Sequence, residues 1–420
     1  MTDARDAVQA QYEEWVYPLP IPDMAAAIAA GEFQVGDPSL VRRKIWPRNV
    51  EPAALEILIA GCGSNQAAHF AFTNPDCHVM GIDISGASLD HETHLKQKHK
   101  LDNLELRQLP IDDVGDLEQS FDYIVSTGVL HHLPDPDRGL RSLREVLAPH
   151  GVMSVMLYGH YGRLGVYMLQ EVLRLLRSRQ DADGLAMVQH LLDTVPYWHP
   201  AQGYVEIAPD LGYDAGLVDT FLHPSDRAYT VPQVLQFAQD NGLAFQGWLD
   251  SVYYSLSARI PADDDIFRQR AERLDKADQW KLCELVWQSP SAHRFLLCHV
   301  DRPASDYTLD FSGDTWLEYV PSLRPPIHVI FRQLLRSHSI SDEPASATGM
   351  IERSSHSVEL SAFGTALLDL VDAATPIRRM LSDTSSLAAN AGWTTAEHVQ
   401  AARRFFEQMA EWDHLQFQIP

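Results

Sequence analysis

Two adjacent imidazoles, His131 and His132, end the stretch FDYIVSTGVLHHL (Phe121–Leu133). Side chains of this type move protons or ligate metals. A metal would need further ligands at a compatible spacing, and the sequence offers no third one there. We therefore expect no metal, and read His132 as a base or as a ring packed against a ligand. Tyr158, His160 and Tyr161 follow in YGHYGR, and with Tyr17 they can line a narrow aromatic channel. Aromatic faces favour a cationic group on a thin alkyl chain; the alternative is ordinary core packing. His223, Asp226 and Tyr229 form a second polar and aromatic cluster, expected to cap and staple the helix that follows.

A different chemistry is written in LEILIAGCGS (Leu55–Ser64). An apolar run breaks into Gly61-Cys62-Gly63, the pattern of a buried strand entering a tight turn. Glycine suits such a turn because a ligand must approach bare backbone. The next strand ends in Asp83, placed to accept hydrogen bonds from ribose hydroxyls. A dinucleotide fingerprint would need a small residue where Gln66 stands. A nucleoside cofactor without a pyrophosphate fits better.

The strand FDYIV, the turn VLHHL, the helix end REVLAPHG and the following strand occur in an order and spacing that resembles the class I S-adenosylmethionine-dependent methyltransferases, over Leu55 to Tyr158. The resemblance implies a Rossmann-like α/β sheet, S-adenosylmethionine as cofactor, and a helix before the first strand that closes over it. Tyr12, Trp15 and Tyr17 are the candidates for that lid, or else they anchor a terminal segment. Two positions depart from the family pattern. Ile59 and Pro110 stand where acids are frequent, which leaves Asp112 or Asp113 for the adenine side.

These residues need a scaffold, and the alternation of strand and helix from Leu55 onward supplies one: a parallel sheet covered on both faces. Ligands then sit beyond the carboxyl ends of the strands. Ala60 to Gly63, Asp83 and Ile84, Ile111 and Asp112, and Thr127 and Gly128 all fall there. The expected division is a methyltransferase core over 1–160 and 223–303, a helical insertion over 161–222, and a C-terminal α+β module over 304–420, winged-helix-like. The core would close on an antiparallel hairpin, Phe245–Val252 with Arg294–Val300. Ser337 to Ser355 reads as a polar loop. The apolar helical face in Gly162–Val195 has no evident cover from the sheet, so it is expected to form a symmetric homodimer.

Lys and Arg number 33 against 57 Asp and Glu, a formal net charge of −24. This disfavours nucleic acid, whose phosphates call for clustered cations. It would draw in a basic, Lys-rich protein, or serve solubility alone. The four cysteines form no CxxC pair, no apolar run reaches membrane-spanning length, and no signal peptide is visible, which points to the cytoplasm. The inserted and C-terminal parts resemble bacterial protein-lysine methyltransferases of the rickettsial type in layout. Lysine methylation is the leading expectation, with a small-molecule acceptor second and a non-catalytic S-adenosylmethionine-binding protein third.

Overall fold

The computed structural model describes residues 4–260, 265–288, 290–324, 349–353 and 356–420. The chain divides into two compact units: 1–37 with 51–248 and 276–302, and 38–50 with 249–275 and 303–420.

The first unit is built on one sheet. Its strands are β1 (Glu56–Ala60), β2 (His78–Asp83), β3 (Leu104–Gln108), β4 (Phe121–Thr127), β5 (Leu147–Gly159), β6 (Ala228–Tyr229), β7 (Leu243–Trp248) and β8 (Ala292–His299). The order is β3-β2-β1-β4-β5-β8-β7, and β6 adds a short pairing to the end of β5. The first five strands are parallel, whereas β8 runs antiparallel to both β5 and β7. Central strands are apolar throughout because helices cover both faces; Ile57 to Ala60 are fully buried. The chain moves outward from β1 to β3 and then returns to β4. That reversal opens a crevice at the carboxyl ends of β1 and β4.

Helices Gln66–Thr73, Gly86–His99 and Pro136–Glu145 cover the sheet. The first begins in an unusual way, because Glu92 from the neighbouring helix accepts the N–H groups of Ala67 (2.8 Å) and Ala68 (2.9 Å). Its carboxyl is buried, and burial pushes its pKa up to about 8. The native state therefore holds a proton that the unfolded chain has already released. This contribution to stability is complete below the ordinary carboxylate range and is lost as pH rises through about 8. Glu92→Gln keeps one acceptor but turns a donor toward the other N–H, which costs about 1–3 kcal/mol. The melting temperature of the variant should lie below the parent's at pH 5.5. The gap should narrow at pH 8.5, and a constant gap would remove the titration from Glu92.

Gly162–Val195 forms two helices rather than one, Leu164–Leu175 and Ala182–Thr194. The chain breaks where Arg177 takes a left-handed φ of 55°, and Asp181 caps the second helix through the N–H of Gly184. Val166, Leu169 and Leu173 pack with Leu185, Val188 and Phe221, so the insertion covers its own inner face. The expectation that this face lacks cover is corrected. What stays exposed is a smaller set on the other side: Leu164, Met168, Leu175 and Leu176.

The second unit has its own core, with Trp316, Leu367, Met380, Phe406 and Phe417 at its centre. Helices Ala362–Asp369, Ile377–Asp383 and Thr395–Glu411 surround it. Strand β9 (Val320–Leu323) pairs antiparallel with β12 (Leu415–Gln418), and β10 (Gly349–Arg353) with β11 (His356–Leu360). Residues 38–50 and 249–275 belong here, although the sequence placed both in the core. The reason is long-range bonding. Lys44 pairs with Asp413, Ile419 N–H donates to the Pro47 carbonyl, and Arg324 bonds Asp413 and the Leu249 carbonyl. Most of the expected loop Ser337–Ser355 lies outside the described residues; 349–353 is strand.

Candidate active site

The glycine turn after β1 is held from within. Gly61 and Cys62 donate their N–H groups to the Ile82 carbonyl, and Gly63 donates to Asp83 Oδ2 at 2.8 Å. Asp83 Oδ1 accepts from Ser85 N–H at 2.9 Å, so the carboxylate ties the turn to the end of β2. Burial raises its pKa. Gly61 has φ of 78°, and a Cβ there would lie 2.4 Å from Val129 Cγ2, so no other residue fits without displacing the β4 end. A pyrophosphate needs free backbone N–H groups, and here three of the turn are already committed. A cofactor that asks only for close approach and ribose acceptors fits these residues.

A cavity of about 490 Å³ opens beside this turn. Gly61, Cys62, Gly63, Asp83, Ile84, Ile111, Asp112, Thr127 and Gly128, all expected beyond the strand ends, line it. Ala60 does not, because it stays within the sheet, fully buried. Of the two acids offered for the adenine side, Asp112 is on the wall and Asp113 is not. The departures at Ile59 and Pro110 differ in consequence. Ile59 is buried in β1 away from the wall, whereas Pro110 lines it.

The N-terminal segment crosses the turn. Ser64 Oγ donates to the Pro18 carbonyl, and Glu13 accepts from the N–H groups of Gly86 and Ala87. Helix Ala4–Glu14 thereby carries Tyr12, and the following loop Tyr17, to the cavity. Trp15 does not line it; its ring packs against the apolar cluster of the insertion.

Beyond the ends of β4 and β5 the wall becomes aromatic and acidic. Tyr12 donates to Asp219 Oδ1 at 2.8 Å, and Tyr158 donates to Oδ2 at 3.3 Å. Tyr17 donates to Asp210 Oδ2 at 2.8 Å. Arg163 stacks on the Tyr158 ring, 3.6 Å from its centre, and donates to Tyr204 Oη at 2.6 Å. Asp226 lies 3.7 Å from the guanidinium and offsets its charge. Asp219 is fully buried, and burial raises its pKa above the ordinary carboxylate value.

Tyr161 is absent from this wall. After Gly159 the chain turns, His160 N–H bonds the Tyr229 carbonyl, and the Tyr161 ring packs edge-on against His160 at 5.0 Å. Its place in the expected channel is taken by Tyr12 and Tyr204. His223 and Asp226 also depart from expectation. The following helix is capped by Thr230 with Gln233, while His223 stacks on His132 at 3.8 Å and Asp226 receives Gln170 Nε2. Asp210 and Asp219 were missed by sequence reasoning. The available signal was a lone carboxylate in the apolar run Val218–Leu222, a placement that burial makes costly without partners.

The fold also gathers what spacing did not: His132, Asp219 and His223 offer ligand atoms within 4.8 Å of one another, as do His131, His132 and Asp226. Hydrogen bonding argues against a cation in the first group. His223 Nδ1 accepts from Ser225 N–H at 3.0 Å, so its Nε2 carries the hydrogen and has no lone pair to give. In the second group the Arg163 guanidinium already serves Asp226. The arrangement suits protons.

A Rossmann-like sheet with a glycine turn, a ribose-type acid at β2 and a cavity over β1 and β4 defines a class I S-adenosylmethionine-dependent methyltransferase domain. Residues 58–153 match the family model described as a methyltransferase domain. The chain is 30% identical over 259 residues to an uncharacterised protein of Synechococcus, covering 60% of this chain and 62% of that one. It is 36% identical over 101 residues to a trans-aconitate 2-methyltransferase of Deinococcus radiodurans, covering 24% and 36%. The chain thus spans less than two thirds of these curated relatives. In fold it is similar to PKMT2 from Rickettsia typhi, at 17% identity and a TM-score of 0.65, covering 91% of this chain and 74% of that one. That protein has also been solved with S-adenosylhomocysteine. The cofactor of this domain is S-adenosylmethionine.

Proposed function

We propose that the chain methylates the side-chain amine of a lysine in a basic protein. The observation that carries this reading is the Asp219 carboxylate, buried on the cavity wall and held by the Tyr12 and Tyr158 hydroxyls. Such a group favours an amine or ammonium, and the surrounding tyrosine faces favour its methylated products. S-adenosylmethionine supplies a methyl group on a sulfonium. Gly61 to Gly63, Asp83, Ile84, Ile111, Asp112, Thr127 and Gly128 hold the nucleoside and methionine parts, closed over by Tyr12 and Tyr17. Tyr158 and Tyr204 confine the acceptor chain, so that catalysis rests on alignment and exclusion of water.

The net charge of −24 supports a basic partner. Rates on such a partner should fall as salt rises from 0.05 to 0.5 M, because attraction between opposite charges is screened. The deciding experiment incubates the protein and labelled cofactor with cell extract, divided into proteins and small metabolites. Methyl-lysine in the protein pool is expected. Label only on a hydroxyl or carboxyl of a metabolite would move the reading to a small-molecule acceptor. A second copy of the chain is the partner we assign to the exposed Leu164, Met168, Leu175 and Leu176. Light scattering should therefore give twice the 47.2 kDa chain mass; a monomer at micromolar concentration refutes it. None of the described helices is long and apolar enough to cross a membrane, and the four cysteines are buried as free thiols.

A further inference from the structure

Lysine reaches any enzyme as an ammonium, and it must lose a proton before its nitrogen can attack. The site contains a group placed to take it. His132 Nδ1 lies 2.7 Å from the Ser225 carbonyl, which can only accept, so Nδ1 carries the hydrogen and Nε2 is bare. That Nε2 is buried on the residue that lines the cavity and has no hydrogen-bond partner. The same residue treats His223 in the opposite sense: Ser225 N–H donates to its Nδ1. His223 Nε2 is thereby the protonated nitrogen, 3.4 Å from Tyr12 Oη, whose own hydrogen goes to Asp219. The backbone of one residue, Ser225, thus sets two imidazoles in complementary tautomers.

We propose that His132 Nε2 and the Asp219 carboxylate form an amine-binding pair, in which Asp219 orients the nitrogen and His132 removes its proton. This rests on the lysine reading above. The spacing allows it: a ring nitrogen of His132 and a carboxylate oxygen of Asp219 lie no more than 4.8 Å apart. Two acceptors held at about 2.9 Å by one tetrahedral nitrogen stand about 4.7 Å apart. The step balances. The ammonium gives one proton to His132 Nε2, and the freed nitrogen lone pair forms the new carbon–nitrogen bond. The carbon–sulfur bond breaks with its electrons left on sulfur. A methylammonium and S-adenosylhomocysteine leave, and the imidazolium releases its proton to solvent.

Around the His132 ring lie the Tyr158 ring, the His131 and His223 imidazoles, and the Asp219 and Asp226 carboxylates, with the Tyr12 hydroxyl bonded to Asp219. Arg163, across the Tyr158 ring, is the one fixed cation among the described groups there, and Asp226 offsets it. Burial holds His131 and His223 neutral, so neither competes for the proton at neutral pH.

Two measurements test the pair. In nitrogen-15 spectra of the full chain saturated with S-adenosylhomocysteine, His132 should appear as the Nδ1–H tautomer and His223 as the Nε2–H tautomer. Saturation with n-butylamine as the probe should protonate His132 Nε2. The opposite tautomer, or a His132 ring unchanged by the amine, overturns the proposal. The second is His132→Asn, which keeps a donor for the Ser225 carbonyl and removes the base. With poly-L-lysine as acceptor at pH 7, kcat should fall about 10²- to 10⁴-fold. The deficit should shrink as pH approaches the amine range, with affinity for S-adenosylhomocysteine unchanged. A variant with the parent's rate and pH profile sinks the base alone, while the parent's methyl-lysine product keeps the lysine reading. A parent that methylates only oxygen sinks both.

Discussion

Replacing Asp83 with alanine is expected to weaken S-adenosylhomocysteine binding roughly tenfold to hundredfold. Hydrogen bonds to a charged group contribute about 1.5–3 kcal/mol, and a factor of ten in affinity is about 1.4 kcal/mol. The structure adds a second loss, because Asp83 also accepts from Gly63 and Ser85 N–H groups. Removing it frees the backbone of the turn that the cofactor must approach. Asp83→Asn separates the two effects. It keeps one carbonyl acceptor but turns an amide donor toward one of these N–H groups, so affinity should fall with less disturbance of the fold. Calorimetry is the measurement. Unchanged affinity in Asp83→Ala would remove this residue from the ribose site, and tight binding of NAD by the parent would remove the cofactor assignment itself.

Deleting residues 1–22 should abolish methyl transfer while leaving the sheet folded. The described residues of the segment contribute no strand, and the order and register of the sheet run from Glu56 to His299. What it does contribute is closure. Tyr12 reaches Asp219, Tyr17 reaches Asp210, and the Pro18 carbonyl takes the Ser64 hydroxyl. Without them the wall at the β5 end opens to water, and a misplacement of the reacting groups by an ångström costs on the order of a hundredfold. Circular dichroism should keep the parent's strand and helix signals, with turnover below a hundredth of the parent rate. Tyr12→Phe is the smaller version: it removes only the hydroxyl that orients Asp219. An unaltered turnover in the deletion would return both tyrosines to a packing role.

The half of the site proposed for the cofactor was written in local sequence. An apolar run leading into Gly61-Cys62-Gly63, an acid twenty residues on at Asp83, and alternating strand and helix patterns each depend on neighbours close along the chain. Backbone geometry then does the rest, since successive parallel strands deliver their carboxyl ends to one edge. Strand β1 accordingly occupies Glu56–Ala60, inside the apolar run that enters the glycine turn, and β2 ends at Asp83. The half proposed for the acceptor was not legible in this way. Asp219 meets Tyr12 across 207 residues of sequence and Tyr158 across 61. No periodicity links such positions, and composition around Asp219 reads as core. Tyr161 shows the same limit in reverse: it stands three residues from Tyr158, yet the turn after Gly159 carries it off the wall. The proton arrangement at His132 and His223 is the furthest from sequence, because it is set by the N–H and the carbonyl of one residue, Ser225. Which nitrogen is bare depends on where a backbone carbonyl and an N–H point, and only the folded chain fixes that direction.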